Sequence, residues 1–293
     1  AVSVRKPDGL IETKKDRYEG VWGDHKLAQL PFLRGIFNFI DSLVLGMQTL
    51  TWSADFYEEE TQEGGAETEA KKGSDKLMMG LTVAFSIVLA VGIFIALPFG
   101  ISLLFRSYVR NQSLLAILEG AVRLAIFLIY VASIASMKDI RRVYQYHGAE
   151  HKCINCLERG RPLTVRNVMR SSRLHKRCGT SFLLFVMLIS ILLFMFVRVE
   201  SPVLRLVVRI LLIPVIAGIS YEVIRLAGRS DNALVNLISK PGMWLQRLTT
   251  KEPDEEMVEV AIASVEAVFD WKGYLEEEFG RRVEEPEGEP AVQ

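Results

Sequence analysis

Three of the four histidines and all three cysteines of this chain crowd into one stretch, His147 to Cys178. Its core is His147-Gly148-Ala149-Glu150-His151, an H-x-x-E-H pattern with the inverted order of the zincin motif. On a helix, His147 and His151 sit one turn apart on one face and reach a single ion, with Glu150 beside them as ligand or general base. His175 and Cys178 follow at i, i+3, an imidazole and a thiol that zinc accepts together. Two ligand groupings are open. In one, His147 and His151 join Cys178, His175 or both; three ligands and a water make an open, catalytic site, four make a closed one. In the other, Cys153-x-x-Cys156 pairs with His175-x-x-Cys178 as a structural knuckle, leaving the paired histidines unexplained. Cys156 and Glu222 are further candidates for an added ligand or a partner of a ligating histidine.

The elements around this stretch read as membrane. Half the residues are apolar and about a quarter charged, and the two classes are segregated along the chain. Leu77–Phe105 holds no charge and is ample for a hydrocarbon core of about 30 Å. Ser113–Met137 forms a second expected span, carrying Glu119 and Arg123 at i, i+4; Thr180–Val197 a third; Ser201–Leu226, with Arg205 and Arg209 in its first turns, a fourth. The loop from Lys138 to Cys178 holds eleven Lys/Arg and three acidic residues, which places it, and with four spans both termini, in the cytoplasm. Cysteines confined to that loop are then reduced thiols, not a disulfide framework.

The fold class expected is mainly α: a polytopic membrane protein with four transmembrane helices, an interfacial amphipathic helix, a small N-terminal β-hairpin and a cytosolic metal-binding helical loop. The divisions are a hairpin segment over 1–29, the amphipathic helix over 30–56 and a disordered, apolar-poor linker over 57–76. Spans one and two occupy 77–137, the metal loop 138–179, spans three and four 180–227, and a cytosolic segment 228–293 with a helix over 254–272. No signal peptide is visible, and the start at Ala1 suggests residues upstream. Zero net charge gives no reason to expect nucleic-acid binding; the basic run Arg166, Arg170, Arg173, Lys176, Arg177 suits anionic lipid or a phosphate-bearing substrate.

Several ordered motifs carry a family resemblance: Ser3–Gly9 (SVRKPDG), Tyr146–Lys152 (YHGAEHK), Ser172–His175, Arg177–Phe182 (RCGTSF), Ile219–Gly228 (ISYEVIRLAG) and Trp244–Thr250 (WLQRLTT). The chain resembles the YqhQ-like family of bacterial membrane proteins, domain of unknown function 1385, over nearly its whole length. The resemblance implies a metal-dependent enzyme whose motif falls on His147, Glu150, His151, His175 and Cys178, and less firmly on Cys153 and Cys156. From these readings, a zinc-dependent (or other divalent transition metal) hydrolase of the bacterial plasma membrane is expected, with Glu150 as base, acting on a membrane-surface peptide or lipid-linked substrate. The alternative is a non-catalytic scaffold or assembly factor with structural zinc, docking membrane-protein partners through its cytosolic segments or forming homo-oligomers.

Overall fold

A computed structural model describes residues 1–21, 30, 33–58, 69–176, 178–197, 199, 201–229 and 232–282. The chain opens with the expected hairpin: β1 (Val2–Arg5) pairs antiparallel with β2 (Ile11–Lys14), Val2 opposite Lys14 and Arg5 opposite Ile11. Its turn closes through Lys6 N–H to Leu10 O at 2.8 Å, with Gly9 at φ 86°, a left-handed conformation that glycine adopts without penalty. His25 and the rest of 22–29 lie outside the described residues.

Twelve α-helices follow among the described residues. Helix α1 (Leu33–Glu58) is not a free surface helix at its N-terminal end. Arg34 Nε donates to Glu222 Oε1 at 2.7 Å, Asn38 Nδ2 donates to the Tyr221 hydroxyl at 2.7 Å, and the rings of Phe39 and Phe182 stand 5.2 Å apart. Gly35 permits this approach, since a Cβ there would come within 2.6 Å of Tyr221. Leu43, Met47 and Leu50, one stripe at helical spacing, stay exposed further along. Of the expected linker over 57–76, residues 59–68 lie outside the described residues and Glu69 already begins α2 (Glu69–Val91).

Helix α2, a π-helical turn (Gly92–Ala96) and α3 (Leu97–Leu104) run on as one rod. Its segment Gly80–Leu104, and α4 (Gln112–Ile134), are each long and apolar enough to cross a membrane. Asn111 caps α4, its side chain accepting from the backbone of Ser113 and Leu114. The other two expected spans differ from expectation. Helix α7 (Thr180–Phe194) has 15 residues, about 22 Å of rise, fewer than the roughly 20 residues a span ordinarily uses. Residues 201–226 form two helices, α8 (Pro202–Leu211) and α9 (Ile213–Arg229), bent by 41° where Pro214 denies the helix a donor. Among the described residues, length and composition therefore give two membrane spans, or three with the bent pair counted as one.

The polar helices pack beside this bundle. Helix α5 (Lys138–Glu158) carries the H-x-x-E-H motif, and the short α6 (Val165–Met169) follows, capped by Thr164. Helix α10 (Ala233–Thr249) lies against α7, and Gly242 at their contact leaves no room for a Cβ, which would stand 2.6 Å from Ser181 Oγ. The C-terminal helix expected over 254–272 is two helices, α11 (Glu255–Glu266) and α12 (Trp271–Phe279). Asp254 and Asp270 cap them in turn, accepting from Met257 N at 2.8 Å and Gly273 N at 3.0 Å. Ala149, Cys153, Cys156, Val168, Val258, Trp271 and Leu275 form the core that binds α5, α6, α11 and α12 together.

Candidate functional site

Helix α5 delivers His147 and His151 from one face, as the four-residue spacing requires, with ring centroids 4.4 Å apart. Cys178 arrives at the N-terminal end of α7. One nitrogen of each imidazole and the Cys178 sulfur all lie within 4.8 Å of one another. The remaining ring nitrogens are occupied. His147 Nδ1 stands 2.9 Å from Thr249 O, at the end of α10, and His151 Nδ1 stands 2.7 Å from Arg173 O. A carbonyl only accepts, so both Nδ1 atoms carry a hydrogen, and both Nε2 atoms face inward, each able to offer a lone pair to a metal when its ring is neutral. His147 Nε2 and Cys178 Sγ are 3.3 Å apart.

The surrounding chain is fastened to hold this arrangement. Gly148 lets the segment after α10 cross α5 at contact distance: a Cβ would sit 2.1 Å from Lys251 O, and Lys251 N–H donates to Tyr144 O at 2.8 Å. The loop after α6 is tied to α5 by Lys152, whose buried ammonium donates to Met169 O at 2.8 Å and Ser171 O at 3.0 Å. Asn155 adds a bond to Ser172 O at 2.8 Å. Gln246, fully buried on α10, accepts from His175 N–H at 2.8 Å and donates to His175 O at 2.7 Å. These bonds set the backbone leading into Cys178.

Electrostatics follow from the geometry. Burial raises the Cys178 thiol, but hydrogen bonds from His147 and His151, with Thr180 behind, outweigh it and hold the group down at about 5. Burial lowers His147, and the Cys178 sulfur raises it by more. Without a metal, the Cys178 sulfur and the His147 imidazole each favour the other's charged form across 3.3 Å.

Of the other anticipated residues, Glu150 is exposed and lines the same cavity, about 800 Å³, as His147, His151, His175 and Cys178. His175 is near, its ring 5.8 Å from that of His151, but its Nε2 lies 3.3 Å from both Glu158 carboxylate oxygens. Cys153 and Cys156 are fully buried in the α5/α11 core. Cys156 Sγ points at the carbonyls of Arg161 and Pro162, and burial pushes Cys153 up to about 12, so neither joins the histidines. The structural-knuckle grouping is not what the chain builds. Glu222 is held by Arg34, away from the site. Lys152, Gln246 and Thr249 lie in the motifs that carry the family resemblance, and Asn155 lies outside them, but the sequence assigns none of the four a role at the site. They act through backbone carbonyls and long-range pairs, which no local spacing signals.

The fold and site together define a mainly helical, membrane-associated protein with an anchored His/His/Cys cluster on its polar side. The chain belongs to the family described as protein of unknown function DUF1385, whose model matches residues 30–271. It is similar to the uncharacterized protein YqhQ of Bacillus subtilis (strain 168), with 36% identity over 267 residues, 89% of this chain and 84% of that protein. No solved structure matches it.

Proposed function

We propose that this protein is a metal-dependent hydrolase of the plasma membrane, with His147, His151 and Cys178 holding zinc or a similar divalent transition ion. The observation that carries the reading is the convergence of three ligand atoms within 4.8 Å, with both imidazoles oriented from behind. Two neutral imidazole nitrogens and a thiolate are a donor set that zinc prefers, and three ligands leave a position open toward the cavity. When bound, the ion supplies acidification of water and polarisation of a carbonyl or phosphoryl oxygen. Glu150, on the cavity wall, accepts the proton of the attacking water and returns it to the leaving group. The basic residues around the loop favour a substrate at the cytoplasmic membrane face, a peptide near the bilayer or a lipid-linked molecule. The finer topology proposed is four passes, α7 and the bent α8/α9 pair supplying the third and fourth, with both termini cytoplasmic. The strongly basic 138–178 segment supports that orientation.

One observation favours a second reading. Cys178 Sγ lies 3.3 Å from His147 Nε2 and 3.4 Å from Thr180 N–H at the start of α7, an arrangement also suited to a cysteine nucleophile with a histidine base. The experiment that separates the readings is metal analysis of the purified chain beside its Glu150→Gln variant. The metallohydrolase reading expects about one ion per chain in both proteins, unchanged melting, and failure of the variant to restore the function lost on deletion. Stoichiometric metal with unfolding of Glu150→Gln would instead indicate the structural-zinc scaffold. Protein that purifies without metal in chelator-free buffer, but loses function on alkylation of Cys178, would favour the nucleophile.

A further inference from the structure

Away from the His/Cys cluster, charged side chains gather inside the membrane bundle. Glu119, on α4, is 2% exposed. It accepts from Arg123 Nη2 at 2.8 Å, one turn along the same helix, and from Arg209 Nη1 on α8; Ser102 Oγ lies 3.5 Å away. Arg123 uses its other donors on Ser190 Oγ at 2.9 Å and on Phe94 O at 2.8 Å. That carbonyl belongs to the π-helical turn, where the regular ladder is interrupted. Arg205, one turn before Arg209, donates from Nε to Val199 O at 2.9 Å. Arg205 and Arg209 are buried at 6% and 3% exposure.

Among the described residues, one carboxylate therefore faces three guanidinium groups, a surplus of two positive charges. The rings of Phe99 and Phe194 stand 4.9 Å from the Arg209 guanidinium; their quadrupoles attract it but carry no net charge. Arg209 Nε is buried without a hydrogen-bond partner among the described residues. Ser102, Gln112, Glu119, Arg205 and Arg209 line a cavity of about 10 Å³ there. That holds one sphere of water size, and the flexible Arg205 side chain that lines it can give the roughly few tenths of an ångström in radius that a halide needs beyond this. A water would satisfy a donor yet leave the surplus charge in a medium that penalises it. We propose that this cavity binds one small monovalent anion of halide type between Arg205 and Arg209. Its size excludes phosphate and other polyatomic anions.

The test is thermal unfolding of the full chain in lipid nanodiscs, with chloride replaced by gluconate at constant ionic strength. Chloride and bromide should raise Tm saturably, and gluconate should not. Arg209→Gln and the milder Arg205→Gln, which leaves the Glu119–Arg209 pair intact, should lose that increment, whereas His147→Ala should keep it. Equal Tm in chloride and gluconate would overturn the proposal. So would a halide increment that persists in Arg205→Gln.

Discussion

Whether an imidazole binds an ion or a proton depends on what its far nitrogen is doing. In this chain both far nitrogens, on His147 and His151, are tied to carbonyls, and the near ones face Cys178. His151→Ala removes one of the three proposed ligands and empties its half of the cluster. We expect bound zinc to fall by about 10- to 100-fold in affinity or more, read by competition with a chromogenic chelator. The metal-free protein offers a pH test. Cys178 is depressed from 9.0 to about 5, so its contribution to stability is full above about pH 9, shrinks as pH falls, and is gone below about 5. His147 is raised from 6.5, so its contribution is full below 6.5 and is lost as pH rises through its folded value. Near pH 6.5 the two meet as an ion pair. Iodoacetamide should then modify Cys178 in metal-free protein well below the pH at which a free thiol reacts, and stoichiometric zinc should block it. The sequence made His147, His151 and Cys178 legible because scarce residue types at ligand spacing stand out. It could not sort Cys153 and Cys156 from the ligands, since a cysteine facing Val258 and Trp271 reads like one facing a metal until α11 and α12 are in place.

The elements that hold the cluster depend on two close crossings. Gly148 on α5 touches the backbone after α10, and Gly242 on α10 touches Ser181 on α7. Gly148→Ala would place a methyl group 2.1 Å from a carbonyl oxygen on a segment that also anchors His147. We expect a loss of about 1–3 kcal/mol in chemical unfolding, accompanied by weaker zinc retention. Gly242→Ala meets Ser181 Oγ at 2.6 Å and Ser181 Cβ at 2.7 Å; the hydroxyl can turn but the Cβ cannot, so α7 and α10 must move apart and a loss of stability is expected here too. Helix α5 was legible from its motif and spacing. Helix α10 was not, because Pro241-Gly242 reads as a break; packing on α7 overrides it. The split between α11 and α12 was missed for a local reason: the Asp270 cap lies inside a run whose apolar spacing continues through Trp271.

At the scale of the whole molecule, ion pairs join helices distant in sequence. Glu119 and Arg123 were readable as an i, i+4 pair, and the arrival of Arg209 from α8 was not. Arg34 and Glu222 likewise tie α1 to α9, their side chains 22% and 25% exposed. A double-mutant cycle of Arg34→Gln and Glu222→Gln should show favourable coupling that shrinks as salt is added, because solvent screens the partly exposed pair. The proposed topology is checked by impermeant maleimide on intact cells. Ser107→Cys, in the turn between α3 and α4, should label from outside, while Glu277→Cys on α12 should label only after permeabilisation. Replacing Cys178 by Ser removes the reactive native thiol, and the burial of Cys153 and Cys156 keeps the remaining background low.

Thr249 is the last residue of α10, yet its carbonyl orients the first histidine of the cluster. During synthesis His147 and Cys178 leave the ribosome well before that carbonyl exists, and α7 must be seated before α10 can dock. Under the proposed metal reading, tight capture of an ion is thereby deferred until the bundle is complete. Metal retention in truncated chains would then serve as a gauge of membrane assembly, rising only once the final anchoring helix has been added.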